Sequence, residues 1–107
     1  MINPSDIIIP LEKLTEYLLV PRVHNDKSKF LAQAGFTIEN PDVLEQAIRD
    51  LFVRNEVVQE RENRYGIFYR LSGELVGPSG ILSVITIWIV RAIDGEFRFV
   101  TLKPDKG

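Results

Sequence analysis

The densest cluster of chemically useful side chains lies between residues 22 and 29. Three cations, Arg22, Lys27 and Lys29, occur there with a single acid, Asp26. The segment precedes a predicted helix, and free N–H groups at a helix N-terminus with flanking lysines suit an anion. We therefore expect Arg22, Lys27 and Lys29 to bind a phosphate-bearing ligand or RNA. The alternative is that the lysines point to solvent and that the domain tolerates the small unfavourable interaction of cations with the dipole at a helix N-terminus.

A second group of residues is suited to acid–base chemistry on RNA. The only histidine, His24, has an ordinary pKa near neutrality and is a candidate general base, although a lone loop histidine is more often a surface residue. With Lys27, Arg70 and Thr101 it makes a candidate catalytic set for a metal-independent ribonuclease, because basic groups stabilise the charged transition state. Alternatively, the strand arginines pair with acids across the sheet, the residues concerned being Arg70, Arg98, Glu60, Glu62 and Glu96.

The composition excludes several kinds of site. The chain has no cysteine, so disulfides, thiolate zinc sites and cysteine nucleophiles are excluded. A single histidine excludes any metal site built from two histidines of one chain, and we expect neither a metal nor a cofactor. Lys and Arg total 13 against 15 for Asp and Glu, a net charge of −2. Binding of nucleic acid therefore requires a local basic patch.

Length and hydropathy predict one domain without a membrane segment. We expect a single domain over residues 1–107, with a core from about residue 9 to residue 102 and a polar tail over 103–107. The N-terminus lacks the basic region of a secretory signal. The longest apolar stretch, Ile81–Val90, is shorter than the roughly 20 residues that a spanning helix needs. These features favour a cytoplasmic protein with no membrane partner.

The first half of the sequence predicts helices. The first runs from Pro10 to about Val20, with leucines at helical spacing. The second is about ten residues long, begins at a cap supplied by Asn25 or Asp26 and ends at Gly35, which tolerates positive φ. A third helix, beginning after residue 40, has the clearest apolar stripe of the three.

The third helix and the strands that follow it define the fold class. Asn40 is the predicted N-cap and Pro41 occupies the first helical position. Loops are expected at Ser72-Gly73 and over 77–80, and a hairpin turn at Asp94-Gly95. The predicted strands cover residues 56–62, 65–71, 81–93 and 97–102. The order predicts an α+β fold, with three N-terminal helices packed on one face of a four-stranded antiparallel meander sheet.

The strand that begins at Ile81 is apolar on both faces. Its isoleucines point one way, whereas Thr86 and Trp88 point the other way. We expect the isoleucine face to contact the helices, which leaves Thr86 and Trp88 to form an interface in a homodimer or a concave groove. The alternative is that curvature of the sheet and the loop over 73–80 bury Trp88 inside the domain.

Several phrases of the sequence, in their order, resemble a known family. They are Ile9-Pro10-Leu11-Glu12-Lys13-Leu14, Tyr17-Leu18-Leu19, Lys27-Ser28-Lys29-Phe30, Gly35-Phe36, Tyr65-Gly66, Gly77-Pro78-Ser79-Gly80, Trp88 and Val100-Thr101. From about Ile9 to Pro104 the chain is similar to a family of small bacterial domains of unknown function. Members of that family occur alone or at the C-terminal ends of polymorphic-toxin and phage-associated proteins.

The resemblance implies a toxin-like effector domain. The layout of helices followed by a meander is similar to that of metal-independent ribonuclease toxins of the barnase and colicin type, which is an analogy of fold. This analogy implies that the residues near the ribonuclease active site are Lys27, Lys29, Thr86, Trp88 and Thr101. The leading hypothesis is a bacterial domain related to such ribonucleases. The alternative is a non-catalytic binding or interaction module, as a homodimer through the sheet face, so enzymatic activity stays an open question.

Overall fold

The computed structural model, which describes residues 6–24 and 26–106, places the helices first and the strands second. The elements are α1 (Leu11–Lys13), a π-helix (Leu14–Leu18), α2 (Ser28–Ala32), α3 (Pro41–Arg54), β1 (Val58–Asn63), β2 (Gly66–Gly77), β3 (Gly80–Arg91) and β4 (Phe97–Pro104). The strands form one antiparallel sheet in the order β1-β2-β3-β4. The α+β class and the antiparallel meander are confirmed, whereas two of the predicted helices are shorter than expected.

The first predicted helix changes its period after one turn. Only Leu11–Lys13 is α-helical, and the π-helix Leu14–Leu18 follows it. The Leu19 N–H donates to the Leu14 carbonyl oxygen, five residues back, at 3.0 Å. The wider turn buries Leu14 and Leu19, while Leu11 is 56% exposed. The spacing of Leu11, Leu14 and Leu18 predicted one apolar stripe, which is confirmed for Leu14 and Leu18 and wrong for Leu11.

The second helix, Ser28–Ala32, spans five residues instead of about ten. Its N-cap is Lys27 and not the predicted Asp26. The Asp26 carboxylate lies one residue earlier and accepts the Ser28 N–H at 2.9 Å and the Ser28 hydroxyl at 2.6 Å. The other candidate cap, Asn25, lies outside the described residues. Gly35 ends this turn with a φ of +92°, as predicted from the freedom of glycine to adopt the left-handed region.

The third helix, Pro41–Arg54, has the predicted start and the predicted buried stripe. Pro41 occupies the first turn, where its missing N–H costs nothing. The Asn40 side chain, however, accepts the Thr37 N–H at 2.8 Å and does not cap the helix. The buried residues of α3 are Leu44, Ala47, Ile48, Leu51 and Phe52.

The second strand runs through a predicted loop. Gly73 was expected in a turn with Ser72, but it pairs with Val84 inside a continuous β2. A Cβ atom on Gly73 would lie 2.6 Å from the Asn55 side-chain nitrogen. Glycine at this position therefore allows a close approach and does not make a turn.

The hairpin between β3 and β4 lies where the sequence predicts it. Gly95 has a φ of +73°, although the connection covers residues 92–96 and is longer than a two-residue turn. The predicted polar tail over 103–107 begins inside β4, which extends to Pro104. At the other end of the chain, Ile7 is buried, two residues before the expected start of the core.

The core contains the face of β3 that was expected to form an interface. Trp88 is 0% exposed, and its ring lies 5.1 Å from that of Phe52 and 5.3 Å from that of Phe99. Thr86 is equally buried; its hydroxyl accepts the Trp88 indole N–H and donates to the Leu71 carbonyl oxygen, both at 2.8 Å. The alternative, that Trp88 is buried inside the domain, is confirmed. The predicted interface at Thr86 and Trp88 is wrong, because neither side chain reaches the surface and their polar atoms are hydrogen-bonded inside the domain.

The isoleucines of β3 lie on the opposite side of the sheet, which we call the outer face. In the β2–β3 register, Phe68 is opposite Ile89 and Arg70 is opposite Ile87, so these side chains share that face. Phe68, Ile85, Ile87 and Ile89 are half-buried, and none of them belongs to the buried cluster. The expectation that this face is the one in the core is wrong.

Candidate anion site at the edge of β4

Beside β4, the last strand of the sheet, lies a hollow of about 220 Å³. It is smaller than the roughly 300–1,000 Å³ of pockets for drug-sized ligands, and its size suits a compact group. We call it the edge pocket. Its lining residues come from α1, the π-helix, the 19–27 loop and β4, and they are Lys13, Tyr17, Leu18, Arg22, Lys27, Val100 and Thr101.

A bulge in β4 positions the sheet side of the edge pocket. Ile87 pairs with Thr101 and Trp88 pairs with Phe99, which leaves Val100 as the extra residue. Just before the bulge, the strand edge is covered by Ile8, whose N–H donates to the Phe97 carbonyl at 2.9 Å and whose carbonyl accepts the Phe99 N–H at 2.8 Å. The edge pocket lies at the residues that follow this cover.

Lys27 is the central cation of the edge pocket. Its ammonium group is half-buried and donates a hydrogen bond to the Thr101 hydroxyl at 3.1 Å. Burial lowers the pKa of Lys27, and the positive charges of Lys103 and Arg22 lower it further. None of the lining residues is a carboxylate. The ammonium group is therefore partly removed from water, close to other cations, and balanced in the pocket by no negative group.

Aromatic contacts hold two further cations in place. The Arg22 guanidinium carbon lies 4.2 Å from the centroid of the Tyr17 ring, and the Lys13 nitrogen lies 5.7 Å from it. A ring face attracts a cation without neutralising it. Tyr17 therefore gathers positive charge at the edge pocket while leaving the donors available for an anion with several acceptor oxygens.

The cations at the β3–β4 hairpin have a different environment. Arg98 donates to the Glu96 carboxylate at 2.8 Å. Glu96 was one of the acids expected to pair with the strand arginines, but it lies two residues before Arg98 and not across the sheet from it. Arg91 donates through Nε to Asp94 at 3.2 Å and makes a second contact with the same carboxylate. The Arg91 hydrogen bond and the Glu96 N–H lower the pKa of Asp94 to about 2. These arginines have acidic partners, whereas Lys27 and Arg22 have none in the lining of their pocket.

The structure brings together some of the predicted site residues. Arg22, Lys27 and Thr101 line the edge pocket. Lys29 is exposed and does not line it, and neither does His24, which is exposed in the preceding loop. The candidate catalytic set is therefore divided, because the only histidine is absent from the lining around Lys27.

Arg70, the remaining catalytic candidate, lies on the outer face of the sheet. It is opposite Ile87 on β3, and Ile87 is in turn opposite Thr101 on β4. Arg70 and Thr101 are thus two strands apart in one row, about 10 Å at the usual strand spacing. The row aligns the two residues but does not bring Arg70 into the edge pocket.

Two residues of the edge pocket were missed in the sequence. Neither Lys13 nor Tyr17 is among the site residues that the sequence predicts. Their spacing of four residues was the available signal, since a lysine and a ring four apart on a helix lie on the same side. Nothing in that spacing shows that both meet Arg22 from the following loop.

The start of α2 does not offer the free helix N-terminus on which the predicted anion site depended. The Asp26 carboxylate already accepts the Ser28 N–H, so an incoming anion would meet a negative charge there. The two hydrogen bonds from Ser28 lower the pKa of Asp26. The basic segment therefore contributes Arg22 and Lys27 to the edge pocket, and not a helix N-terminus.

The described part of the chain has neither a metal-binding cluster nor a membrane-spanning helix. Within residues 6–24 and 26–106, no group of three or more His, Asp or Glu side chains is placed to hold a metal ion. None of the helices in those residues is both long enough and apolar enough to cross a membrane.

Comparison with known families covers almost the whole chain. The model of a family described as a domain of unknown function, DUF6883, matches residues 1–106. The chain belongs to this family. A search of curated proteins finds no match. Membership in DUF6883 agrees with the small domain of unknown function that the sequence resembles, and it assigns no activity to the edge pocket.

Proposed function

We propose that this member of the DUF6883 family binds a phosphate group in the edge pocket, as part of RNA or of a smaller phosphate-bearing ligand. The observation that carries the proposal is the half-buried Lys27 ammonium group, which donates to Thr101 in a hollow without a carboxylate. Burying a cation is costly unless an opposite charge or acceptor oxygens compensate it. A phosphate supplies both, and Lys13 and Arg22 lie where they can share its charge.

Binding assays with RNA and with small phosphates separate the two sources of the ligand. Fluorescence anisotropy measures binding of a labelled single-stranded RNA, and calorimetry measures inorganic phosphate and a nucleoside monophosphate. Affinity for RNA without affinity for the small ligands indicates a nucleic-acid partner. The reverse result indicates a small metabolite or a phosphorylated group. Binding of neither class overturns the proposal.

Variants at two neighbouring lysines test the edge pocket itself. Lys27→Met retains most of the aliphatic stem and removes the charge, so we expect affinity to fall about tenfold or more, as for loss of a charged hydrogen bond. Lys29→Met is the matched control, because Lys29 lies in the same basic segment but outside the pocket. Equal losses in the two variants would show that only general charge matters. For RNA, Lys27→Met should also reduce the salt dependence by about one phosphate contact.

A second candidate function is RNA cleavage of the toxin type, without a metal. The contact between Lys27 and the Thr101 hydroxyl favours it, since a lysine whose pKa is lowered is better able to act as a general base. Incubation with total RNA in EDTA tests this activity. We expect cleavage to be lost in Lys27→Met and retained in His24→Ala, because His24 does not line the pocket. Binding without cleavage leaves the phosphate-binding proposal and removes this one.

A further inference from the structure

An apolar strip along the outer face of the sheet lies outside the core. Phe68, Ile85, Ile87 and Ile89 are half-buried, and they belong neither to the buried cluster nor to the side chains packed against it. Towards the far end of β3, Ile81 is 58% exposed and lies opposite the exposed Val76. The polar pair of Ser83 and Glu74 separates Ile81 from the rest of the strip. The continuous part, from Ile85 to Ile89, is about 14 Å long at the rise of an antiparallel strand.

Basic side chains surround this strip. The charged residues that the strand register places on the outer face are Arg61, Arg70, Arg91, Arg98 and Lys103 on the basic side and Glu74 on the acidic side. Arg91 and Arg98 are paired with acids of the hairpin. Within residues 6–24 and 26–106, neither Arg70 nor Lys103 takes part in an ion pair. The Asp105 N–H donates to the Ser83 carbonyl oxygen, so this acid also lies beside the outer face. The face therefore has a small excess of cations, carried by Arg61, Arg70 and Lys103, which are in no ion pair within the described residues.

The face has the make-up of a protein interface. An apolar centre with arginines and one aromatic ring around it is the composition found where two proteins meet. Nucleic acid is a poorer match, because binding of unpaired bases relies on exposed rings. Phe68 is the aromatic residue among the side chains placed on this face, and the Arg61 guanidinium already lies 4.1 Å from its centroid.

We propose that the outer face binds a protein partner whose surface places carboxylates around an apolar centre. Charge complementarity favours this partner over a second copy of the chain. A second copy would bring its own Arg70 and Lys103 to the opposing surface, where cations would face cations. Carboxylates facing Arg70 and Lys103 supply the charge that this face lacks. The proposal rests on residues other than those of the phosphate site, because Ile85, Ile87, Ile89 and Arg70 do not line the edge pocket. The two surfaces adjoin, since Ile87 pairs with Thr101 of the pocket.

Two synthetic helical peptides test the proposal. Both carry the same stripe of leucines, flanked by glutamates in one and by lysines in the other. Backbone amide NMR signals of the full chain report where each binds. We expect the glutamate peptide to shift signals of β2, β3 and β4, with affinity reduced about fivefold or more in Arg70→Glu and in Ile87→Ser. Lys29→Glu, a charge reversal outside the strands, should leave that affinity unchanged.

Four results would overturn the proposal. They are equal affinity for the lysine peptide, no shift with the glutamate peptide at millimolar concentration, the same pattern of shifts with a single-stranded RNA, and a dimer in sedimentation that Ile87→Ser dissociates. Far-UV circular dichroism confirms that each variant is folded. Because Ile87→Ser leaves the lining of the edge pocket unchanged, its phosphate affinity shows whether a failure belongs to this proposal or to the phosphate site.

Discussion

The two faces of β3 have similar apolar character and opposite environments. On one face, Thr86 and Trp88 are fully buried against aromatic rings that include Phe52 of α3. On the other face, Ile87 and Ile89 are half-buried and do not belong to the core cluster. Hydrophobicity along the strand therefore does not tell which face becomes the interior. The neighbouring side chains decide which face is buried. The Trp88 face packs against the Phe52 ring, and the hydrogen bonds of Thr86 and Trp88 are all made inside the domain.

The comparison also separates stability from recognition. The buried face holds the domain together through packing that a solvated face does not provide. The outer face, through Arg70 and Lys103, and the adjoining edge pocket, through Lys27, keep cations that are in no ion pair within the described residues. Substitutions on the first face should therefore change the free energy of unfolding, whereas substitutions on the second should change binding.

The largest expected effect is at Trp88. Trp88→Ala removes a wholly buried ring and should lower the free energy of unfolding by about 3–5 kcal/mol. Ile87→Ala, on the outer face, should cost much less because part of that side chain is already in contact with water. Urea unfolding followed by circular dichroism measures both. Similar losses at the two positions would contradict the contrast between the faces.

The next effect concerns the buried hydroxyl on the same face. Thr86→Val keeps the shape but leaves the Trp88 indole N–H without an acceptor and the Leu71 carbonyl without this donor. We expect a loss of about 1–3 kcal/mol in the free energy of unfolding. Thr86→Ser retains the hydroxyl and should restore the near-ultraviolet signal of Trp88. A Thr86→Val variant as stable as the wild type would show that this hydrogen-bond chain is not needed.

At Lys27, beside the edge of β4, we expect a smaller effect that increases the free energy of unfolding instead of lowering it. The pKa of Lys27 is lowered in the folded chain, so the unfolded chain binds more protons as the pH approaches 10.5, the ordinary value. The free energy of unfolding should therefore rise with pH through that window in the wild type. Lys27→Met lacks this rise and should be slightly more stable at pH 7. Thermal unfolding between pH 7 and about 10 checks the sign.

The smallest effect is at the hairpin that ends the outer face. The pKa of Asp94 is lowered to about 2 from 3.8, so its contribution is present above the unfolded value and is lost as the pH falls through about 2. Asp94→Asn should lower the melting temperature slightly at pH 6, and the difference should vanish at the acid limit. Glu60→Gln is the control that removes an exposed charge from β1. A difference that persists unchanged below pH 2 would exclude this origin.

Several parts of the fold could be predicted because they depend on local chemistry. Pro41 at the first position of α3, the positive φ of Gly35 and Gly95, and the order of helices before strands follow from propensities of short segments. Gly73 shows the limit of such signals. Its role is to admit Asn55 from the end of α3, and a contact between distant segments leaves no local pattern.

The candidate site was partly predictable for the same reason. The basic segment around Arg22 and Lys27 is contiguous, so its charge is evident in the sequence. Lys13, Tyr17 and Thr101 join it only because the π-helix and the bulge of β4 bring three separate segments together. Lys29, two residues from Lys27, does not line the pocket, since a helix turns neighbouring side chains in different directions.

The sequence by itself determined the class of the domain, its helices-then-meander order, the absence of thiol chemistry and the position of its basic segment. Each of these depends on composition or on a few adjacent residues. Only the tertiary structure decided which face of β3 is buried and which cations meet. The physical reason is that alternation along a strand defines two faces equally, and their environments differ only through the long-range packing of α3 and the π-helix.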